Sequence, residues 1–275
     1  MSKKLLFLGI LLFNFTFLSI SQKGEYYLTH YSPENQEIEN DNYNISEDAD
    51  GSMLFANAKG LLKFDGKYWE LTETPSSVLA LGFDKKTGIT YAGCIDDFGY
   101  VIKDEKGLNR YVSIFSSPEE QISIIKIIVT EDFIYFQGEK TLFEYSKAEK
   151  KVTQKWDHKS FWDYHIFKCN QQLFISDKEL GILKIKNGKL VKVPTNIPSG
   201  EKIIFAPTIN AKMVIAGTDS SHFYLFDGAV FTKLKLKDAD YLKKSVPTDA
   251  IWVRQDLVII ATQKGGCVLI NPVTG

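Results

Sequence analysis

Arginine is almost missing from this chain. Arg110 and Arg254 are the only two among 33 basic residues, which 34 acidic ones offset to a formal charge of −1. That balance gives nucleic acid no electrostatic reason to bind, and two arginines cannot build a three-arginine carboxylate clamp. Cysteine is scarce too. Cys94, Cys169 and Cys267 make an odd number without CxxC spacing, each in or beside an apolar run, so three buried thiols are expected. His30, His158, His165 and His222 are scattered without HxH or HxxxH spacing, and no metal site follows from them. Asp157-His158 and Asp163-x-His165 add nothing to that. Asp48-x-Asp50-Gly51 starts like a calcium loop but lacks the later acid such a loop needs, so it reads as a hairpin turn. Phosphate-loop and nucleophile-elbow patterns are absent, and no cofactor is expected.

What is present begins with Lys3 and Lys4, followed by the apolar run LLFLGILLFNFTFLSI and the small residues Ser19 and Ser21. A basic start, an apolar core and small residues before a break describe a secretory signal peptide, cleaved after Ser21. Asn14 and Thr16 interrupt the run, which falls short of the roughly 20 residues that span a bilayer. Removing residues 1–21 takes Lys3 and Lys4 with them and moves the formal charge from −1 to −3. No second membrane-length run follows, so export to the periplasm is expected, with a membrane tie only through a helix downstream of this segment.

The mature part is built from short apolar runs and Gly-bearing turns. Between Asp48 and Glu70, MLFA, LLKF and YWEL are separated by Asp50-Gly51, Lys59-Gly60 and Asp65-Gly66. Runs this short are strands, and such dipeptides supply the positive φ of tight hairpin turns. The pattern recurs. Phe64, Ile102, Tyr145, Ile185, Phe226 and Ile270 close equivalent third strands at a spacing of roughly 38 to 44 residues. Four short strands per repeat of about 40–45 residues predict an all-β fold, a β-propeller of four-stranded antiparallel blades. The blades are expected over 43–75, 78–114, 122–160, 163–198, 202–236 and, incomplete, 248–275, after a leader at 22–42. Second strands such as FIYFQ, KMVIAG and LVIIAT are apolar throughout, as required when both faces of a sheet pack on neighbours. Fourth strands turn charged, as KLKLK does after Phe231, which suits an outer edge. Two closures stay open: Tyr26–Tyr31 completing the sixth blade, or a longer propeller of which this is the front part.

Turns between the second and third strands of each blade crowd one rim of a propeller. Here they hold Asp96 and Asp97, with Tyr100 just beyond; Asp177 and Glu179; Asp219 and His222. These seven are the candidate ligand-binding residues, by hydrogen bonding to an oligosaccharide or a peptide. No catalytic residue is assigned. Sialidase-type chemistry lacks its arginines, and Asp96-Asp97, adjacent in a strand, would face opposite ways rather than pair as glycosidase carboxyls. Trp69, Trp156, Trp162 and Trp252 fall in or near strands and read as packing residues.

GLLKFDGKYWEL (60–71), preceded by DADGSMLFANA, and ITYAGCIDDFGYV (89–101) resemble the opening blades of two-component-regulator-type propeller sensors. MVIAGTDSSHFYLFDG and LVIIATQKGGCVLIN are similar to that family's repeat. Phe55-Ala56-Asn57 and Lys140-Thr141 depart from its usual pattern. The resemblance implies an extracytoplasmic sensing region, followed in longer members by a triple-tyrosine domain, a membrane helix and an output domain, with homodimerisation of the whole protein. It transfers no catalytic residue. The expectation is therefore a non-enzymatic, ligand-sensing propeller; the alternatives are a secreted protein-interaction propeller and a carbohydrate-active enzyme.

Overall fold

The computed structural model describes residues 29–33, 38–119, 122–157, 164–210 and 213–275. The signal peptide expected at 1–21, residues 26–28 of the closing strand expected at Tyr26–Tyr31, and His158, Trp162 and Asp163 lie outside them. Two compact units are present, Met1–Glu34 and Asn35–Gly275. In the first, residues 29–33 carry no regular secondary structure, and the Ser32 hydroxyl lies 3.2 Å from Nδ1 of His30.

The second unit is a six-bladed, all-β propeller of antiparallel sheets. Blade one comprises β1 (Asn42–Glu47), β2 (Met53–Asn57), β3 (Gly60–Phe64) and β4 (Trp69–Glu73). Blade two holds β5 (Val78–Asp84), β6 (Ile89–Cys94), β7 (Asp97–Lys103) and β8 (Asn109–Ser116). Blade three is formed by β9 (Lys126–Val129), β10 (Phe133–Gln137), β11 (Thr141–Ser146) and β12 (Lys151–Asp157). In blade four these are β13 (Tyr164–Cys169), β14 (Gln172–Asp177), β15 (Gly181–Lys186) and β16 (Lys189–Lys192). Blade five contains β17 (Ile203–Phe205), β18 (Thr208–Ile209), β19 (Met213–Thr218), β20 (Phe223–Phe226) and β21 (Phe231–Lys233). Blade six shows three strands among the described residues: β22 (Pro247–Arg254), β23 (Leu257–Thr262) and β24 (Cys267–Ile270).

Aspartates set many of the hairpins. Asp65 Oδ1 accepts the N–H groups of Lys67 and Tyr68, and Asp227 Oδ1 those of Ala229 and Val230. Each such Asp caps a turn whose next residue, Gly66 or Gly228, adopts positive φ. The Val230 and Ala229 amides hold Asp227 below the ordinary carboxylate range. At Asp48 and Asp50 both carboxylates close on the ammonium of Lys63, at 2.7 and 2.8 Å. A lysine thus occupies the place where a calcium loop would hold its ion.

Blades are joined by apolar seams. Central strands β6, β10, β14 and β19 are buried over nearly their whole length. Between blades two and three, Phe98 stacks on Phe136 at a centroid distance of 4.2 Å. Between blades four and five, Phe174 meets Phe226 edge-on at 4.9 Å. Each fully buried ring contributes about 1.5–3 kcal/mol of transfer free energy. Five such clusters link consecutive blades from one to six. No cluster links blade six back to blade one among the described residues. Ile251 (62% exposed), Val253 and Leu269 on blade six, and Tyr43 and Ile45 on blade one, accordingly face solvent.

Two local features depart from the repeat. Pro207 interrupts the first strand of blade five, splitting β17 from β18, and its carbonyl accepts the Trp252 indole N–H of blade six at 2.9 Å. A short helix, α1 (Ala239–Ser245), lies in the connection from blade five to blade six and buries Leu242 in the last seam. Seven residues are too few to show a helical period in sequence. One expectation is corrected. Cys94 and Cys169 are buried, but Cys267 is exposed, because β24 is the outermost described strand of blade six and no further described strand pairs with it. Among the described residues no helix is long and apolar enough to cross a membrane.

Candidate functional site

First strands of successive blades lie beside one another and line the propeller's axis. In an antiparallel blade, the start of the first strand, the turn between second and third strands and the link to the next blade share one end. That end is the upper rim; the other carries the remaining turns.

On the upper rim, blades four and five build a connected polar cluster. Asp177 is buried and its Oδ1 accepts the N–H groups of Glu179 and Leu180, which shapes the β14–β15 turn. That turn extends Lys178 across to the next blade, where its ammonium reaches Asp219 Oδ2 at 3.3 Å. Asp219 Oδ1 accepts the Lys202 N–H at 3.1 Å, and the Asp219 N–H returns to the Lys202 carbonyl at 2.9 Å. Beside it, Glu201 takes His222 Nδ1 at 2.9 Å and the Thr218 hydroxyl at 2.9 Å. Ser221, at φ 58°, makes the tight turn that brings His222 back toward Glu201. A recess of about 500 Å³ opens next to this cluster, between the β14–β15 turn and residues 192–201, with Glu179 and Glu201 on its wall. Pro194, Pro198 and Gly200 shape its far side.

Deeper on the axis, three basic side chains of successive blades converge. Lys126, at the start of β9, donates to His165 Nε2 at 2.8 Å. Burial pushes the Lys126 amine down to about 8, against the opposing pull of Asp249. His165 is held well below its ordinary range by burial and then by Lys126 and Lys202, so its ring is neutral.

The seven sequence candidates divide. Asp177, Glu179, Asp219 and His222 come together on blades four and five. Asp96, Asp97 and Tyr100 sit apart on blade two. Asp96 is a turn residue at φ 61°, and its Oδ1 is buried with no hydrogen-bond partner. Asp97 is turned into its own sheet, accepting the Tyr111 hydroxyl at 2.6 Å and the Ser113 hydroxyl at 2.8 Å. Tyr100 packs 6.1 Å from the Tyr91 ring in the seam toward blade three. Lys126, His165, Glu201 and Lys202 are the polar residues that turn-reading missed. All four stand at or just before the start of first strands, where a charged residue opening an apolar run was the available signal.

No protein-family model and no curated protein matches the chain. Among solved structures it is similar to the β-propeller domain of Cps50 (Swd1) from Myceliophteria thermophila. Identity is 12% and the TM-score 0.59, over 85% of this chain and 84% of that one. The computationally designed Ika8 protein matches at 16% identity and TM-score 0.62, over 89% and 74%. The extracellular domain of BT4673 from B. thetaiotaomicron, assigned to a one component system, matches at 13% identity and TM-score 0.47. That match spans 83% of this chain and 38% of that one. At these identities the likeness is one of fold.

Proposed function

We propose that this chain is the extracytoplasmic, ligand-binding propeller of a signal-transduction protein, and that it binds rather than transforms its ligand. The observation that carries the reading is the upper-rim recess beside the Lys178–Asp219 and Glu201–His222 pairs. Its volume lies within the range of small-ligand sites, and convergent polar groups on an apolar scaffold are what such sites use. The export-type N-terminus supports placement in the periplasm, and the sensor-like segments support a sensing role. A neutral oligosaccharide or a short peptide suits a wall of mixed charge.

Thermal-shift screening of the purified chain with oligosaccharide and peptide panels tests this, since a ligand specific for the folded state must raise the melting temperature. The expected result is a saturable rise in wild type that His222→Ala and Glu179→Gln diminish. A rise unaffected by both variants would move the site off this rim. Absence of any hit in both panels would favour the protein-interaction reading, which the exposed Ile251, Val253 and Leu269 of blade six otherwise support.

A further inference from the structure

The opposite rim holds a second recess, of about 390 Å³, where blades two, three and four meet around the axis. Four lysines surround it. Lys85 and Lys86 come from the β5–β6 turn, Lys147 from the end of β11, and Lys168 from the end of β13. Only two acids stand against them, Asp84 and Glu131. The recess is therefore cationic on a chain whose overall charge is slightly negative.

The two acids are already engaged. Buried Asp84 receives Lys147 at 2.6 Å, and the same ammonium donates to the Thr130 carbonyl at 2.7 Å. Lys147 is thereby fixed on the wall. Glu131 pairs with Lys86 at 3.2 Å, both largely exposed. Lys168 and Lys85 pair with no carboxylate among the described residues. Lys168 donates to the Val129 carbonyl at 2.6 Å, which uses one of the three donors of a half-buried ammonium. Burial, and then the like charges of Lys147 and Lys85, lower the Lys168 pKa, with Asp84 opposing. A fold gains nothing by collecting like charges in a recess unless an opposite charge enters.

We propose that this lower recess is an oxyanion-binding site, taking a small molecule through a carboxylate, sulfate or phosphate group held by Lys168, Lys85 and Lys147. It is separate from the upper-rim cluster and does not depend on the reading of that cluster.

The test is a melting-temperature titration of the whole chain with sodium sulfate, inorganic phosphate and malonate, each against sodium chloride at matched ionic strength. Wild type is compared with Lys168→Gln, Lys85→Gln and, as a distant surface control, Lys189→Gln. At least one oxyanion should give a saturable rise above chloride, and the arm that does so identifies the preferred group. Lys85→Gln alters an exposed side chain and leaves the fold intact. It and Lys168→Gln should each weaken the midpoint about tenfold, with Lys189→Gln unchanged. A rise that does not saturate, or that survives equally in Lys85→Gln and Lys168→Gln, is general salt exclusion from the surface and overturns the proposal.

Discussion

Lys126 and His165, on neighbouring inner strands, share a hydrogen bond of 2.8 Å at the propeller's axis, both partly buried. With the amine donating, the neutral ring carries its own proton on Nδ1. Folding lowers the pKa of both groups, so the unfolded chain binds more protons and stability rises with pH through each window. For His165 the gain comes as pH climbs to 6.5, and stability is lost below it. For Lys126 the gain comes between about 8 and 10.5. Denaturant midpoints measured across pH should show both rises. Lys126→Met should flatten the upper one, worth on the order of 1–3 kcal/mol; an unchanged upper slope would refute the assignment.

Asp97 binds inside its own blade. Asp97→Ala should cost about 1–3 kcal/mol by stranding the Tyr111 and Ser113 hydroxyls. It should leave the response to any upper-rim ligand intact. A variant of normal stability that no longer binds ligand would reverse that assignment.

Thiol chemistry should single out one cysteine. Cys267 is exposed, while burial pushes the Cys94 thiol up to about 12 and the Cys169 thiol up to about 11. Alkylation of the native protein followed by peptide mapping should label Cys267 at least tenfold faster than the other two. Comparable labelling of Cys94 would show that the first seam opens readily.

Gly93 lets the second blade approach the third. A Cβ there would collide with the Ile124 side chain. Gly93→Ala should destabilise by about 1–3 kcal/mol, and by less in an Ile124→Ala background, where the Cγ2 methyl that meets the new Cβ is gone. Additive effects in the double variant would mean that the two positions do not touch.

The architecture was legible because propeller strands repeat two simple signals, an apolar run and a Gly-bearing turn, and GLLKFDG or FIYFQ carries both. Helix α1 was not, being shorter than two helical turns. The exposure of Cys267 was invisible for another reason: an apolar run shows that a side chain could be buried, not that a neighbouring strand is there to bury it. The site was half legible. Asp219 and His222 stood out as polar turn residues, yet their partners Lys202 and Glu201 precede a strand some seventeen to twenty-one positions earlier. The lower recess escaped because its lysines come from three blades, and only the closure of those blades makes neighbours of Lys85, Lys147 and Lys168.

Among the described residues, six blades joined by five apolar seams form a line rather than a circle in their energetics. In a closed ring every blade is gripped on both sides, and no blade leaves without breaking two contacts at once. Among the described residues, blades one and six each hold by a single apolar seam. With coupling confined to nearest neighbours, loss of structure enters from an end and travels inward, as in a stacked-repeat protein. Blades three and four, farthest from both ends, are the last to open; blade four borders both recesses, so the two proposed ligand sites rest on the most persistent part of the chain.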